Sequence, residues 1–190
     1  MAGSDRMDVQ SVAVVGAGTM GAGIAQVCAQ TGWTTRLYDA FPEGLAKGMA
    51  AIEAFWDKGI ERGKTTSDQK AEWLGNLRAV NDLAEAVEGA DLVIEAVPES
   101  MQLKQDIFAE LERLAPSHAM LATNTSGLPI SEIAQSTGCP ERVIGMHFFN
   151  PVPLMSLLEL VRHDTVSEET IADAQSIGSA MGKTTIVVRD

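Results

Sequence analysis

Cysteine is scarce in this chain of 190 residues, which has only two. Cys28 falls in a helical stretch and Cys139 in a Gly-Cys-Pro loop, so the pattern offers no disulfide framework and reads as reduced, structural thiols in a cytoplasmic compartment. Neither the cysteines nor the three histidines follow the spacing of a metal site. Basic residues are also few, 14 Lys and Arg against 26 Asp and Glu, for a net charge of -12. That balance argues against general affinity for nucleic acid or an anionic membrane, and an anionic substrate would need a local basic patch. The sequence has no apolar run of membrane-spanning length, and its polar first ten residues contain no signal-peptide core. Residues 1–8 are expected to form a disordered tail. No repeat, low-complexity tract or Pro/Gly-rich linker divides the rest, so residues 9–190 are expected to be a single domain.

What the sequence does have is alternation. Short β-rich runs near 11–15, 34–38, 91–97, 119–123, 142–147, 156–161 and 184–188 are separated by helical patterns near 19–31, 100–115 and 168–181. This predicts an α/β fold of the doubly wound, Rossmann type: a mostly parallel sheet with helices on both faces. Runs such as Leu92-Val93-Ile94 are apolar throughout, as strands buried on both faces must be. Between residues 42 and 77 the pattern changes. Leu45, Met49, Ile52 and Trp56 recur at helical spacing, a breaker-rich turn follows at 62–67, and a second helical stretch surrounds Trp73, which together predict an inserted helical hairpin.

Two segments carry chemistry. Val12-Ala13-Val14-Val15 runs directly into Gly16-Ala17-Gly18-Thr19-Met20-Gly21, a strand, a glycine turn and a helix start. Such a turn lets backbone N–H groups and the helix N-terminus approach a pyrophosphate. Asp39 follows eighteen residues after Gly21, at the end of the second strand, where a carboxylate would accept hydrogen bonds from both adenosine ribose hydroxyls and repel a 2′-phosphate. NAD is therefore expected rather than NADP. The second segment is Gly145-Met146-His147-Phe148-Phe149-Asn150-Pro151-Val152-Pro153, with Glu159 twelve residues beyond the histidine. A histidine can take and return a proton near neutrality, and a carboxylate beside it fixes its tautomer. Asn150, held extended by the following proline, offers an amide to a substrate carbonyl. Proton abstraction coupled to hydride transfer is the chemistry these groups suit. His118 and His163 read as surface residues. Ser126 and Asn124 have a plainer alternative as caps of the helix starting near Leu128.

Taken together, Gly-x-Gly-x-Met-Gly, Asp91-Leu-Val-Ile-Glu-Ala-Val-Pro-Glu99, Asn124-Thr125-Ser126 and Gly-Met-His147-Phe-Phe-Asn150-Pro-Val-Pro resemble the NAD-binding domain of the 3-hydroxyacyl-CoA dehydrogenases over residues 10 to 190. The resemblance implies NAD as cofactor, an acyl-CoA thioester as substrate and fatty-acid metabolism as the setting. It makes His147 the acid/base and Glu159 its partner, places Ser126 and Asn150 against the substrate's oxygens, and puts Glu99 and Lys104 along the NAD site. It also implies a coenzyme A contact at Lys58, Arg62 and Lys64, the most basic stretch of the chain.

The chain departs from the family pattern at Gly127, where a second serine is usual, and ends at Asp190, where the family continues into a helical domain that closes the cleft and forms a homodimer. The chain is thus expected to be a fragment or a deliberate truncation that binds NAD but turns over substrate weakly or not at all. Two other functions remain open at this point: a non-catalytic NAD-binding module, and a dehydrogenase of a non-thioester hydroxy acid.

Overall fold

The computed structural model describes residues 6–190. Eight strands form one sheet: β1 (Ser11–Val15), β2 (Thr34–Tyr38), β3 (Leu77–Val80), β4 (Leu92–Glu95), β5 (Met120–Thr123), β6 (Val143–Phe148), β7 (Leu157–Arg162) and β8 (Thr184–Arg189). Their order is β3-β2-β1-β4-β5-β6-β7-β8. The pairings from β3 through β6 are all parallel, while β7 runs antiparallel to β6 and parallel to β8. The strand order reverses direction between β1 and β4, which opens a crevice at the carboxyl ends of the strands, the place where such sheets bind ligands.

Seven helices cover the sheet: α1 (Thr19–Thr31), α2 (Pro42–Glu61), α3 (Ser67–Gly75), α4 (Leu83–Val87), α5 (Met101–Leu114), α6 (Ile130–Ala134) and α7 (Glu168–Ala180). The period-2 alternation of each strand divides the core in two. Val12 and Val14 of β1 join one cluster, with Ile24, Ile52 and Ile171, whereas Ala13 and Val15 join the other, with Phe108, Leu111 and Ile133. Both faces are thereby buried, as the continuous apolar strands require.

The expected hairpin is α2 and α3. Its turn uses a left-handed Gly63 (φ 74°) and a capping box in which Thr66 and Gln69 satisfy each other's backbone N–H groups. Leu45, Gly48, Ile52 and Trp56 bury one face of α2, and Trp56 packs on Trp73 with ring centroids 5.6 Å apart. Burying Ile52 and Trp56 contributes roughly 1.5–3 kcal/mol each, so the hairpin is fixed to the sheet domain rather than projecting from it.

Several local expectations are corrected. β3 and α4 were not anticipated, because four and five residues are too few to show a period. His163 is buried rather than on the surface: its Nε2 lies 2.8 Å from the Val143 carbonyl oxygen and its Nδ1 accepts from the Thr165 N–H. His118 is exposed and pairs with Asp91 at 2.7 Å. The expected N-terminal tail falls partly on residues 1–5, outside the described residues. Beyond them, Arg6 pairs with Asp173 of α7 at 3.3 Å and the Met7 N–H donates to the same carboxylate, so residues 6 and 7 are docked.

Candidate active site

The turn between β1 and α1 is built by backbone contact. Gly16 has φ 109°, a left-handed conformation that a side chain disfavours, and a Cβ there would lie 2.7 Å from the Ala96 carbonyl oxygen. At Gly21 a Cβ would fall 1.7 Å from the Gly16 carbonyl oxygen, so helix and turn meet backbone to backbone. Gly18 differs. A Cβ on it would meet nothing within 4 Å, because it borders open space. Gly18 is also the N-cap of α1, where no side chain caps the helix and the first turn holds no acidic residue. The helix therefore presents uncapped N–H groups and the positive end of its dipole to that space, an arrangement that fits a pyrophosphate.

Asp39 closes the other side. Its Oδ2 accepts from the Ala17 N–H and its Oδ1 from the Phe41 N–H, both at 2.9 Å. Each oxygen keeps a lone pair for a ribose hydroxyl. Arg36, the nearby cation that could attract a 2′-phosphate, is turned away, its Nη1 donating to the carbonyls of Glu85 and Glu88 at 2.9 and 2.7 Å. Those are the carbonyls at the end of α4, and the guanidinium caps them.

A cavity of about 900 Å³ extends from this turn, bordered by Gly16, Gly18, Thr19, Met20, Asp39, Glu99, Lys104, Asn124, Ser126, His147 and Asn150. Most of the expected site residues thus share one hollow, with Gly21 directly behind its wall. Lys104 has a larger role than a lining residue. Only 1 % of its side chain is exposed, and its Nζ lies 2.5 Å from Glu95, a fully buried carboxylate, and 3.2 Å from Glu99. Glu95 also accepts from the Thr123 hydroxyl at 2.6 Å and the Val97 N–H at 2.8 Å. Glu99 then accepts from the Thr125 hydroxyl at 2.7 Å. Partial burial pushes the Glu99 carboxyl up. Hydrogen bonds from Thr125, the charge and hydrogen bond of Lys104 and the Gly127 N–H outweigh burial and hold it below the usual carboxylate range. The loop that carries Ser126 is thereby tied to the cavity wall on both sides of the serine.

His147 and Glu159 face each other as a register pair across β6 and β7. His147 Nδ1 lies 2.8 Å from Glu159 Oε1, with 22 % and 27 % of the two side chains exposed. The Phe149 ring packs on the imidazole with centroids 4.5 Å apart. With Nδ1 engaged by the carboxylate, Nε2 is the nitrogen left to exchange a proton. His147 and Ser126 border the large cavity and also a second hollow of about 570 Å³, which Glu159 and Arg189 border as well. The pair stands in the wall between two spaces.

Neither Ser126 nor Asn124 caps α6. Its N-cap is Pro129, and the Asp190 carboxylate accepts from the N–H groups of Ile130 and Ser131, at 2.9 Å each. Asn124 instead accepts from the Phe148 N–H at 2.9 Å, which joins the ends of β5 and β6. Lys58, Arg62 and Lys64 are exposed at the far end of α2 and border neither hollow. At 1.5 Å per residue, Lys58 stands roughly 24 Å along the helix axis from Pro42, beside the cavity. The Glu95–Lys104 pair was missed as a unit, although a single carboxylate in the apolar run Leu92-Val93-Ile94-Glu95 signals a buried partner.

An uncapped helix over a glycine turn, an aspartate ending the neighbouring strand, and a crevice where the strand order reverses define a dinucleotide-binding α/β domain, here with a hydrogen-bonded histidine–glutamate pair at its rim. The family model described as 3-hydroxyacyl-CoA dehydrogenase, NAD binding domain, matches residues 11–190, and the chain belongs to that family, whose cofactor is NAD. It is 44 % identical over 184 residues to a probable 3-hydroxybutyryl-CoA dehydrogenase of Bacillus subtilis, covering 97 % of this chain and 64 % of the relative. It is 41 % identical over 177 residues to the 3-hydroxyadipyl-CoA dehydrogenase of Escherichia coli, covering 93 % of this chain and 37 % of that protein. The crystal structure of FadB2 from M. tuberculosis superposes with a TM-score of 0.93 at 38 % identity, over 97 % of this chain and 65 % of that one. The chain thus spans less than two thirds of the length of these relatives.

Proposed function

We propose that this chain is the cofactor-binding and acid/base portion of an NAD-dependent 3-hydroxyacyl-CoA dehydrogenase, converting a 3-hydroxyacyl-CoA to the 3-oxoacyl-CoA. The observation that carries this reading is the His147–Glu159 pair, 2.8 Å apart in the wall between the nucleotide cavity and a second hollow. NAD, when bound, supplies the hydride acceptor. His147 Nε2 takes the hydroxyl proton as the C3–H bond gives up its hydride, and Glu159 stabilises the imidazolium that forms. Ser126 holds the reacting oxygen and the Asn150 amide the thioester carbonyl. Gly16, Gly18, Thr19, Met20 and Gly21 cradle the pyrophosphate, Asp39 takes the adenosine ribose, and Glu99 and Lys104 hold the wall in place.

The substrate is an acyl-CoA thioester whose phosphates meet Lys58, Arg62 and Lys64, with the pantetheine arm extended between that helix end and the hollow. Homodimerisation through a helical domain following residue 190 belongs to the same reading. So does a cytoplasmic setting, supported by two buried free cysteines. The deciding experiment is NADH formation from 3-hydroxybutyryl-CoA and from free 3-hydroxybutyrate, by the chain alone and within a chain of its relatives' length. Turnover of the thioester in the longer form, with little from the free acid, is expected. Equal turnover of the free acid would remove the coenzyme A assignment, and no turnover of either would remove the enzyme.

A further inference from the structure

Asn150 and Phe149 stand on the loop between β6 and β7, and that loop is short of hydrogen-bond donors. Pro151 and Pro153 carry no N–H, and the N–H groups of Leu154 and Met155 both converge on the Pro151 carbonyl, at 3.0 and 3.1 Å. The carbonyls of Val152 and Met155 are reached from outside the loop. Lys183, in the turn between α7 and β8, donates from Nζ to both of them at 2.6 Å. Its own backbone N–H is fixed to the Gly178 carbonyl at 2.9 Å, so the ammonium is carried on a rigid turn. A second hold acts on the same residues: the buried Val152 side chain packs over α1, where a Cβ on Gly23 would lie 2.9 Å from it.

We propose that Lys183 is a positioning residue of the reaction, clamping the β6–β7 loop so that Phe149 stays against the His147 ring and Asn150 stays at the cavity. The Lys183 side chain is half-buried, and two peptide oxygens replace part of the hydration its ammonium loses where a carboxylate would ordinarily stand. Partial burial lowers the Lys183 pKa from the usual lysine value. A neutral side chain of similar length would leave both carbonyls without their donor and free the loop to shift. The role of the loop in turnover rests on the function proposed above, but its geometry does not.

The test therefore reads the imidazole directly in the 190-residue chain. NMR would follow the His147 Hε1 and Asn150 amide resonances in Lys183→Met and Lys183→Arg, with NADH affinity measured in parallel. Lys183→Met should move both resonances, since Phe149 lies 4.5 Å from the imidazole and its ring current changes with its position. NADH affinity should hold, because the glycine turn is untouched, and Lys183→Arg, which keeps a multivalent donor, should restore the wild-type resonances. If Lys183→Met does not fold by circular dichroism, Lys183→Gln, too short to reach both carbonyls, carries the same readouts. Unmoved His147 and Asn150 resonances in the variant without the ammonium would overturn the proposal. So would a loss of NADH binding that parallels the resonance change, which would mark a general structural role. In a chain that turns over 3-hydroxybutyryl-CoA, Lys183→Met should also lower kcat by about 10-fold or more with KM for NAD unchanged, the scale of misplacing a reacting group. Absence of turnover in the wild type would count against the proposed function and leave the NMR outcome to judge Lys183.

Discussion

Replacing Lys104 by methionine should destabilise the protein far more than a single cavity-lining residue would suggest. The ammonium is the cationic partner of Glu95, a carboxylate with 0 % of its side chain exposed, at 2.5 Å. Methionine fills much the same volume but leaves that charge to the Thr123 hydroxyl and the Val97 N–H alone. Removing one member of a buried pair costs about 3–5 kcal/mol, because the other charge is left uncompensated away from water. At roughly 2–4 °C per kcal/mol for a domain of this size, Tm should fall by about 6–20 °C. Urea unfolding followed by circular dichroism measures this directly. Adding Glu95→Gln should return a substantial part of the loss, since the amide carries no charge and still offers one acceptor to its neighbours. A Lys104→Met cost below about 1 kcal/mol, the range of exposed ion pairs, would refute the reasoning. A double variant no more stable than the single one would refute it equally.

Four further outcomes are expected. Gly21→Ala, whose Cβ would fall 1.7 Å from a backbone oxygen, should cost about 1–3 kcal/mol or more in unfolding free energy. Gly18→Ala, with nothing within 4 Å, should keep wild-type stability and lose NADH affinity in a fluorescence titration; the reverse ranking would contradict the geometry. Cys28 is pushed up to about 12 by burial, so it should stay unreactive to a thiol reagent at pH 8 until the protein unfolds, and rapid native labelling of Cys28 would contradict its placement. Asp91 is raised by burial but lowered further by the N–H groups of Gln10 and Ser11 and by His118, and Glu99 is also held low. Depressed folded pKa values contribute stability in full above the unfolded values of about 3.9 and 4.3, and that stability is lost as pH falls through the lower folded ones. Urea midpoints should therefore drop below about pH 4, and midpoints that hold steady from about pH 5 to pH 2 would contradict the contacts of these two carboxylates.

The readable parts of the chain were those where one physical requirement leaves a long trace. Strands buried on both faces give continuous apolar runs, which placed β1, β4, β5 and β6, and α2 left four apolar positions at helical spacing. The glycine turn was legible because Gly16 and Gly21 answer close backbone contacts while Gly18 borders open space, and the His147–Glu159 contact because the two residue types have few other uses together. β3 and α4 stayed hidden because their pairing, not their composition, makes them. His163 was misread for a related reason: a histidine in a charged loop looks exposed until the Val143 carbonyl appears 2.8 Å from it. Asn124, Asp190 and Lys183 act on backbone groups distant in sequence, and such bonds leave no periodic signal. The basic residues Lys58, Arg62 and Lys64 were legible as a cluster, but their distance from the cavity depended on the length and direction of α2.

In the proposed function His147, oriented by Glu159, exchanges the proton that accompanies hydride transfer. Its most direct test is kcat for oxidation of 3-hydroxybutyryl-CoA by His147→Ala, in a chain of its relatives' length, with NADH affinity measured beside it. A fall of about 10²-fold to 10⁴-fold is expected, the usual contribution of a positioned general base, with NADH affinity unchanged because the glycine turn and Asp39 are intact. Turnover at the wild-type rate would contradict it.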